Sequence, residues 1–439
     1  MYQLIKRLYP ICRSITGNGV RETLKILQEK IPLEIIEVST GTKCYDWTIP
    51  KEWNIKDAYI KDQNGNVVVS FHESNLHVVS YSVPIHQKLS FDELKKHIHY
   101  IEEKPDAIPY RTSYYDEYWG FCMTYKQFKK MKDGLYEVCI DSSLDNGSLT
   151  YGEYFKQGKL RDEILLSCYV CHPSLCNDNL SGVSLVATLA SILQNMTTKF
   201  SYRFLFIPET IGAIAWLSRN ESKIQNTIGG LVATCCGDTG SITYKRSRHH
   251  NSFIDVIVER VLSASGDDFS MLDFWPSGSD ERQFSSPGFN MPIGSLMRTV
   301  YDTFEEYHTS KDDLSFMDEH SLGDSLKKYL DVIYELERTD FIPTKMDAKF
   351  KPHNDSDPVF VSTNMKCEPR LGNRGLYHKI GALTNQQQFE TKRAIQWLLN
   401  FSDGYHSVSD ISRMSGIAFG VLLSSSKLLL DADLLRISV

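Results

Sequence analysis

The spacing of apolar and polar positions divides the chain into segments of different predicted structure. In the first thirty residues apolar side chains recur at helical spacing, as in Val20, Leu24 and Leu27, which predicts two short helices. The next hundred residues carry short runs of β-branched and aromatic side chains and are predicted to be β-rich. The runs 134–142 and 148–155 are predicted to form a hairpin, because Asp145-Asn-Gly147 between them is typical of a tight turn.

After residue 160, near-continuous apolar runs alternate with helical patterns. Strands buried on both faces and separated by helices indicate a mostly parallel α/β sheet covered by helices on both sides. Ligands of such sheets bind at the carboxyl ends of the strands. The predicted strands are Glu163–Val170, Tyr202–Ile207 and Ile228–Cys236, and the predicted helices between them are Ser181–Leu193 and Gly212–Leu217.

The last part of the chain has the pattern of a small separate domain. Three helical stretches over residues 386–430 and a terminal strand over 434–439 are typical of a winged-helix-like arrangement. Its third helix carries a single basic residue, Lys427, so packing or protein contact is favoured over DNA binding. The predicted organisation is an α/β domain of residues 1–50 and 130–345, a β-rich insertion at 51–129, a linker at 346–375 and a winged-helix-like domain at 376–439.

Composition and charge narrow the class of protein. The 439 residues carry a net charge of −7, from 48 basic and 55 acidic side chains, so no overall field attracts nucleic acid or an anionic membrane. Ten cysteines are too sparse for a disulfide framework in a chain of this length. The first residues lack the apolar core of a signal peptide, so we expect a cytoplasmic protein with reduced thiols. Assembly with further copies of the same chain stays open.

Polar residues follow each of the three predicted strands. His172 and Asp178 come after the first, Glu209 after the second and Asp238 after the third. Imidazole nitrogens and carboxylates bind Zn²⁺ or a related ion, and an unligated glutamate next to such an ion can act as a general base. Each residue also has a structural alternative, since Asp178 can cap a helix and Glu209 can stabilise a helix N-terminus. The strings Gly278-Ser-Asp280-Glu281 and Tyr307-His308-Thr-Ser-Lys-Asp312-Asp313 are further candidates, and His308 also suits an exposed surface position.

Several of these strings resemble the co-catalytic zinc aminopeptidases. They are Asp178-Asn-Leu-Ser-Gly182, Glu209-Thr-Ile-Gly212, Gly278-Ser-Asp280 and Tyr307-His-Thr309. The whole chain more closely resembles a bacterial family of aminopeptidase-like proteins with a C-terminal winged helix. That family carries a domain-of-unknown-function label and is often encoded among surface-polysaccharide biosynthesis genes. The strings that carry this resemblance are Asp46-Trp-Thr-Ile-Pro50, Ile108-Pro-Tyr110, Ser113-Tyr-Tyr115, Trp119-Gly-Phe-Cys122, Cys171-His-Pro-Ser174 and Ile207-Pro-Glu-Thr-Ile-Gly212.

The resemblance implies a fold and a role for individual residues. The fold would be the three-layer α/β sandwich of the zinc exopeptidases, with a mixed, mostly parallel sheet. His172 and Asp238 would bind the first metal ion, Asp178 would bridge two ions, and His308 would belong to the second. Glu209 would be the general base that takes a proton from the metal-bound water.

Two departures from the peptidase pattern bear on the number of ions. Thr210 stands where the peptidases have a second acidic ligand after the catalytic glutamate, and Ser174 stands where they have an aspartate that fixes the first site. We therefore expect one well-occupied zinc site and a second that is weak or absent. Glu281, His249 or His250 could supply the missing ligand.

The leading hypothesis is a zinc-dependent hydrolase that cleaves an amide bond next to a free amine. Its substrate would be a small molecule, a peptide or an amide-bearing sugar, with Asp280, Tyr307 and Arg248 as candidate substrate-binding residues. The alternative is a non-catalytic, aminopeptidase-like binding protein that keeps one metal ion or none.

Overall fold

The computed structural model describes residues 1–340, 354, 356–376 and 386–438. Its strands, in chain order, are β1 (Glu34–Ser39), β2 (Lys43–Cys44), β3 (Trp47–Thr48), β4 (Glu52–Lys61), β5 (Val67–Ser70), β6 (Ile85–Ser90), β7 (Ile98–His99), β8 (Phe121–Cys122), β9 (Leu135–Asp145), β10 (Ser148–Lys156), β11 (Glu163–Tyr169), β12 (Ser201–Ile207), β13 (Thr227–Ala233), β14 (Ile242–Lys245), β15 (Phe269–Leu272), β16 (Ile293–Met297), β17 (Val359–Ser362), β18 (Asp403–Ser407) and β19 (Leu435–Ile437). Its α-helices are α1 (Tyr2–Leu8), α2 (Asn18–Gln28), α3 (Phe91–Leu94), α4 (Tyr125–Lys130), α5 (Gly182–Leu193), α6 (Ile211–Arg219), α7 (Glu221–Ile224), α8 (Phe253–Ser265), α9 (Glu281–Phe284), α10 (Glu319–Arg338), α11 (Gln386–Phe401), α12 (Val408–Ser415) and α13 (Phe419–Asp431).

An eight-stranded sheet forms the centre of the α/β domain, in the order β1-β10-β12-β11-β13-β16-β14-β15. The four central strands, from β12 to β16, run parallel, and antiparallel strands flank them on both sides. Every residue of β11 and β12 is buried, as expected of parallel strands covered on both faces. The mixed, mostly parallel sheet predicted from the sequence is confirmed.

Helices pack on both faces of this sheet. Successive side chains of a strand point to opposite faces, so neighbouring residues of one strand belong to different core clusters. Leu166 of β11 belongs to a core cluster that includes residues of α1, α2, α5, α8 and α10. Its neighbour Leu165 belongs to a second cluster that includes residues of α6. Burying one such leucine contributes roughly 1.5–3 kcal/mol, so the two clusters stabilise a three-layer sandwich.

A buried ion triad lies where β10, β11 and β12 run side by side. Arg203 of β12 donates from Nε and Nη2 to the carboxylate of Glu163, at 2.7 Å in each case, and its Nη1 pairs with Glu153. The three side chains are 3–9% exposed, so each charge depends on the others for compensation.

Strands β4, β5 and β6 of the β-rich insertion form a four-stranded antiparallel sheet with β9, which follows the insertion in sequence, in the order β5-β4-β9-β6. The predicted hairpin of β9 and β10 is wrong, because β9 pairs with β4 and β6 of this sheet. Strand β10 pairs with β1 and β12 of the large sheet. The turn after Asp145 therefore carries the chain from one sheet to the other.

The C-terminal unit has helices α11, α12 and α13 and a three-stranded sheet in the order β18-β17-β19. Strand β17 lies within the segment predicted as a linker, and it is the central strand of this sheet. Residues 341–353 and 377–385 of that part of the chain lie outside the described residues. Among the helices that the structure describes, none is both long enough and apolar enough to cross a membrane.

Candidate metal centre

The carboxyl ends of the parallel strands β11 and β12 place the candidate residues at one edge of the large sheet. His172 follows the end of β11 and Glu209 follows the end of β12. Asp178 lies in the turn that leads into α5, and His308 lies in the loop between β16 and α10. Parallel strands deliver their following loops to the same edge, so residues distant in sequence meet here.

His172, Asp178 and His308 form a compact group of side chains of the types that bind metal ions. One ligand atom from each lies within 4.8 Å of the others, and His308 Nε2 is 3.0 Å from Asp178 Oδ2. Both of those atoms are buried and have no hydrogen-bond partner among the described residues. Two imidazoles and one carboxylate oxygen, turned toward one another in a buried place, fit a zinc ion.

The charge states of His172 and Asp178, the two most buried candidate ligands, suit metal binding. Burial lowers the pKa of His172 to about 4, so the imidazole is neutral at pH 7. Burial alone would raise the pKa of Asp178, but His172 and His308 lower it to about 2. Both residues therefore offer a lone pair without first losing a proton.

Tyr169, the last residue of β11, is hydrogen-bonded to the second carboxylate oxygen of Asp178. Its phenol donates to Asp178 Oδ1 and lies 2.6 Å from the hydroxyl of Thr234. Burial and the Asp178 charge raise the pKa of Tyr169 well above its ordinary value, so the phenol remains a donor. Asp178 therefore presents Oδ2 toward the histidines while Oδ1 is held by a hydrogen bond.

Two aspartates outside the group of His172, Asp178 and His308 hold the turn that carries Asp178. The Asp312 carboxylate accepts the backbone N–H groups of Asn177, at 2.6 Å, and of Asp178, at 2.9 Å. Asp238 accepts a hydrogen bond from Asn177 Nδ2 at 2.9 Å and another from the hydroxyl of Thr299 at 2.5 Å. The structure thus places Asp238 beside the turn, outside the group formed by His172, Asp178 and His308, and its role as a ligand stays a prediction.

Glu209 lies next to this group and has the properties of a proton acceptor. Its Oε2 is 3.8 Å from His172 Nε2, and its side chain is 27% exposed. Burial, followed by the charges of Asp280 and Asp178, raises the pKa of Glu209 well above its ordinary value. The raised pKa moves the carboxylate toward the range in which a general base works at neutral pH.

His172 is held by partners that differ from those implied by the peptidase resemblance. Cys171 Sγ accepts the backbone N–H of Glu209 at 3.3 Å and is 3.7 Å from His172 Nδ1. Arg13, which is almost fully buried, donates from Nε to the backbone carbonyl of His172 at 2.9 Å. The Ser174 hydroxyl donates instead to a backbone carbonyl of the N-terminal segment. A thiol, rather than an aspartate, therefore orients this imidazole.

Aromatic rings line the histidines. The Tyr110 ring lies 5.2 Å from His172 and 5.2 Å from His308, and its backbone N–H donates to the carbonyl of His308 at 2.8 Å. Tyr307 stacks on His308, with ring centroids 3.9 Å apart. The Tyr110 hydroxyl is 2.7 Å from that of Tyr114. The insertion thus supplies one wall of the site and helps to place His308.

Other predicted residues lie elsewhere or make different contacts. Arg248 contacts Asn400 and Asp403 of the C-terminal unit, and His249 is hydrogen-bonded to a backbone carbonyl. Glu281 is fully buried and pairs with Lys245 at 2.5 Å. The structure brings none of these side chains into the group formed by His172, Asp178 and His308.

Tyr169, Cys171 and Arg13 contribute to the site although the sequence predicted no role for them, and Asp312 was predicted only as part of the candidate string that contains His308. Asp312 follows His308 closely, and Cys171 precedes His172, so nearness to a predicted ligand was a usable signal. Tyr169 is hidden in an apolar strand, and Arg13 is 159 residues from its partner. Their roles depend on tertiary contacts.

Comparisons with known proteins agree with this architecture. A family model described as a domain of unknown function (DUF4910) matches residues 2–339, and one described as a winged helix-turn-helix matches residues 359–437. A Clostridium acetobutylicum protein, named as a candidate polysaccharide biosynthesis protein with an aminopeptidase-like domain, is 52% identical over 437 residues, which is 100% of this chain and 96% of that protein.

Solved structures show the same relationship. The crystal structure of a candidate peptidase from Clostridium acetobutylicum matches with a TM-score of 0.76 at 51% identity, covering 99% of this chain and 95% of that one. A zinc aminopeptidase from Bacillus subtilis matches with a TM-score of 0.57 at 11% identity, covering 76% of this chain and 94% of that one, which shows a shared fold. The chain therefore belongs to the DUF4910 family, with an aminopeptidase-like α/β fold followed by a winged helix-turn-helix domain.

Proposed function

We propose that this protein is a zinc-dependent hydrolase of the aminopeptidase type, with one metal ion held by His172, Asp178 and His308. The observation that carries the proposal is the buried pair of His308 Nε2 and Asp178 Oδ2, 3.0 Å apart, next to His172. Glu209, which has a raised pKa, lies with Oε2 3.8 Å from His172 Nε2. Ligands and base thus meet at the strand ends of a fold that zinc aminopeptidases share.

The contacts of two residues support one ion rather than two. Asp178 has only Oδ2 facing the histidines, because Oδ1 accepts the Tyr169 phenol. A carboxylate that bridges two ions with one oxygen on each would need Oδ1 for the second ion, where the Tyr169 phenol competes. Thr210, at the position of the second acidic ligand, has its hydroxyl 2.9 Å from a nitrogen of Arg282, which brings a positive charge instead of a carboxylate.

A zinc ion held by these residues would supply a water of lowered pKa and polarise the substrate carbonyl. Glu209 accepts the proton of the attacking water and then delivers it to the leaving amine. The raised pKa of Glu209 suits both steps, since the same group must gain and release a proton near neutral pH. Tyr110 and Tyr307 limit access of bulk water around the histidines.

The substrate we propose has an amide next to a free amine. Glu209, Asp280 and Asp178 make the surroundings of the site acidic, which favours an ammonium group. The name of the Clostridium acetobutylicum relative includes polysaccharide biosynthesis. An amide-bearing sugar or an aminoacylated glycan is therefore the first substrate class to assay, ahead of peptides.

Metal content and hydrolysis test the proposal together. Wild type, His172→Ala and Glu209→Gln are reconstituted with zinc and analysed by mass spectrometry, then assayed on aminoacylated amino sugars and aminoacyl anilides. We expect about one zinc per chain in wild type and Glu209→Gln, loss of zinc in His172→Ala, and hydrolysis by wild type alone. Zinc binding without hydrolysis of any substrate would favour the non-catalytic binding protein, and no zinc would contradict the site itself.

A further inference from the structure

The residue after the candidate base has a backbone conformation that needs support. Thr210 has φ 63° and ψ −74°, a region that β-branched residues rarely adopt. Its N–H donates to Asp280 Oδ1 at 2.6 Å, and its hydroxyl accepts from Arg282 Nη2 at 2.9 Å. Both partners lie at the start of α9, so this short helix fixes the turn that presents Glu209.

Arg282 connects this turn to the C-terminal unit. Its Nη1 donates to Glu368 Oε2 at 2.8 Å, and the two side chains are 14% and 25% exposed. A charge-assisted hydrogen bond that is largely shielded from water fixes geometry better than an exposed ion pair. The position of the guanidinium beside Thr210 is therefore set in part by Glu368.

Glu368 belongs to a loop of the winged helix-turn-helix domain, residues 363–376, that we call the brace loop. The loop follows β17 of the C-terminal sheet, crosses to the α/β domain and ends before α11. The hydrogen bonds that fix it around Glu368 are Trp47 Nε1 to the Glu368 carbonyl (2.8 Å), the Glu368 N–H to Gln283 Oε1 (3.0 Å), the Cys367 N–H to Ser286 Oγ (2.9 Å), the Gly288 N–H to the Met365 carbonyl (2.7 Å) and the Arg370 N–H to Asp46 Oδ2 (2.7 Å). Asp46 and Trp47, from the first string of the family resemblance, thus hold the brace loop.

We propose that Arg282 is a positioning residue for Glu209 and that the brace loop makes the winged helix-turn-helix domain part of the catalytic unit. The proposal rests on the proposed function for the role of Glu209, whereas the contacts from Glu368 through Arg282 to Thr210 stand independently of any reaction. In this arrangement Glu368 fixes Arg282, Arg282 fixes the Thr210 turn, and the turn directs the Glu209 carboxylate toward His172. The C-terminal domain acts here through a loop inserted between its first strand and its first helix.

Peptide-resolved hydrogen–deuterium exchange on the full chain tests the chain of contacts without a substrate. In Glu368→Gln we expect the peptide 208–214, whose exchangeable amides are those of residues 209–214, to exchange about tenfold faster than in wild type, while α10 is unchanged. Lys366→Gln is the matched control, because Lys366 lies in the same loop and pairs with Glu221 at a half-exposed position away from the turn. Unchanged exchange at 208–214 in Glu368→Gln, or equal acceleration in Lys366→Gln or in α10, would overturn the proposal.

A double-mutant cycle separates positioning from a general loss of packing. Thr210→Val removes the hydroxyl that Arg282 contacts and keeps a β-branched side chain. If Glu368 acts through Arg282 on Thr210, then Glu368→Gln adds little to the exchange rate of Thr210→Val at 208–214, whereas additive effects would overturn the proposal.

Kinetics give the second readout. On an aminoacyl anilide that wild type hydrolyses, Glu368→Gln should lower kcat roughly tenfold or more, with KM within about twofold, since a small displacement of a general base costs mainly turnover. A rise in KM at unchanged kcat would overturn the positioning role. Failure of wild type to hydrolyse any substrate would count against the proposed function alone, because the exchange experiment still decides whether the brace loop holds the turn.

Discussion

Replacing Tyr169 by phenylalanine removes one hydroxyl and tests whether Asp178 is oriented by a hydrogen bond. The phenol donates to Asp178 Oδ1 and lies 2.6 Å from Thr234 Oγ1, in a place where all three side chains are buried. A hydrogen bond to a buried charged group contributes about 1.5–3 kcal/mol, so the metal-free protein should lose a free energy of unfolding in that range. Loss of a partner that orients a ligand weakens metal binding by about 10–100-fold.

Zinc affinity is measured by competition with a chromophoric chelator, and stability by urea unfolding of the metal-free protein. Tyr110→Phe is the control, because Tyr110 packs on both histidines but its hydroxyl contacts Tyr114 rather than a ligand. It should lose about 1 kcal/mol of stability and bind zinc like wild type. Equal zinc affinity in wild type and Tyr169→Phe, or equal weakening in both variants, would refute the idea that the phenol fixes Asp178.

Three further substitutions, one of them with a matched control, test other parts of the structure. Cys171→Ala should weaken zinc binding about tenfold in the same chelator assay, because His172 loses the sulfur beside Nδ1, and unchanged affinity would contradict that role. Burial raises the pKa of Asp280 to about 7, so between pH 4 and 7 the folded state holds a proton that the unfolded state has released, and stability falls as pH rises. Urea unfolding of the metal-free protein at pH 5 and 7.5 should therefore show that the stability of Asp280→Asn, relative to wild type, is greater at pH 7.5 than at pH 5. A stability difference between the two proteins that does not change with pH would exclude the raised pKa of Asp280. Arg203→Met leaves buried Glu163 without its cation and Glu153 with only the more exposed Lys223, 3.6 Å away, and should cost about 3–5 kcal/mol. Arg260→Met, at an exposed pair, should cost less than about 1 kcal/mol in the same unfolding assay.

The position of the site could be predicted because it follows from strand direction. Residues 164–166 and 204–207 are continuous apolar runs within two short strands, a pattern expected of strands covered on both faces. Once they are parallel, His172 and Glu209 must lie at the same edge of the sheet. Local pattern and chain direction were sufficient for this step, and no long-range contact had to be known.

The partners of the site residues could not be predicted, since they depend on contacts between distant segments. Arg248 was a candidate substrate-binding residue, but it is covered by the C-terminal unit, where it pairs with Asp403. Lys245, three positions earlier, is fully buried against Glu281. The turn at Asp145 has the composition of a hairpin, yet its two strands find better partners in different sheets. Sequence spacing specifies which side chains lie on the same face of a helix or strand, and tertiary packing decides what covers that face.

The contacts between the two domains predict that they unfold together. Phe274 of the α/β domain is buried in the core cluster of the C-terminal unit, and Arg248 donates to Asn400 and Asp403 while its guanidinium lies 4.6 Å from the Phe401 ring. A domain that shares core side chains and a buried ion pair with its neighbour cannot separate without exposing both. Calorimetry of the full chain should therefore show one cooperative transition, and Arg248→Met should lower the stability of the whole molecule by about 3 kcal/mol, because Asp403 loses its cation. Two separate transitions in wild type, with the smaller one assigned to residues 359–438, would mean that the winged helix is an independent domain, and the brace loop would then lack the rigid support that positioning of Glu209 requires.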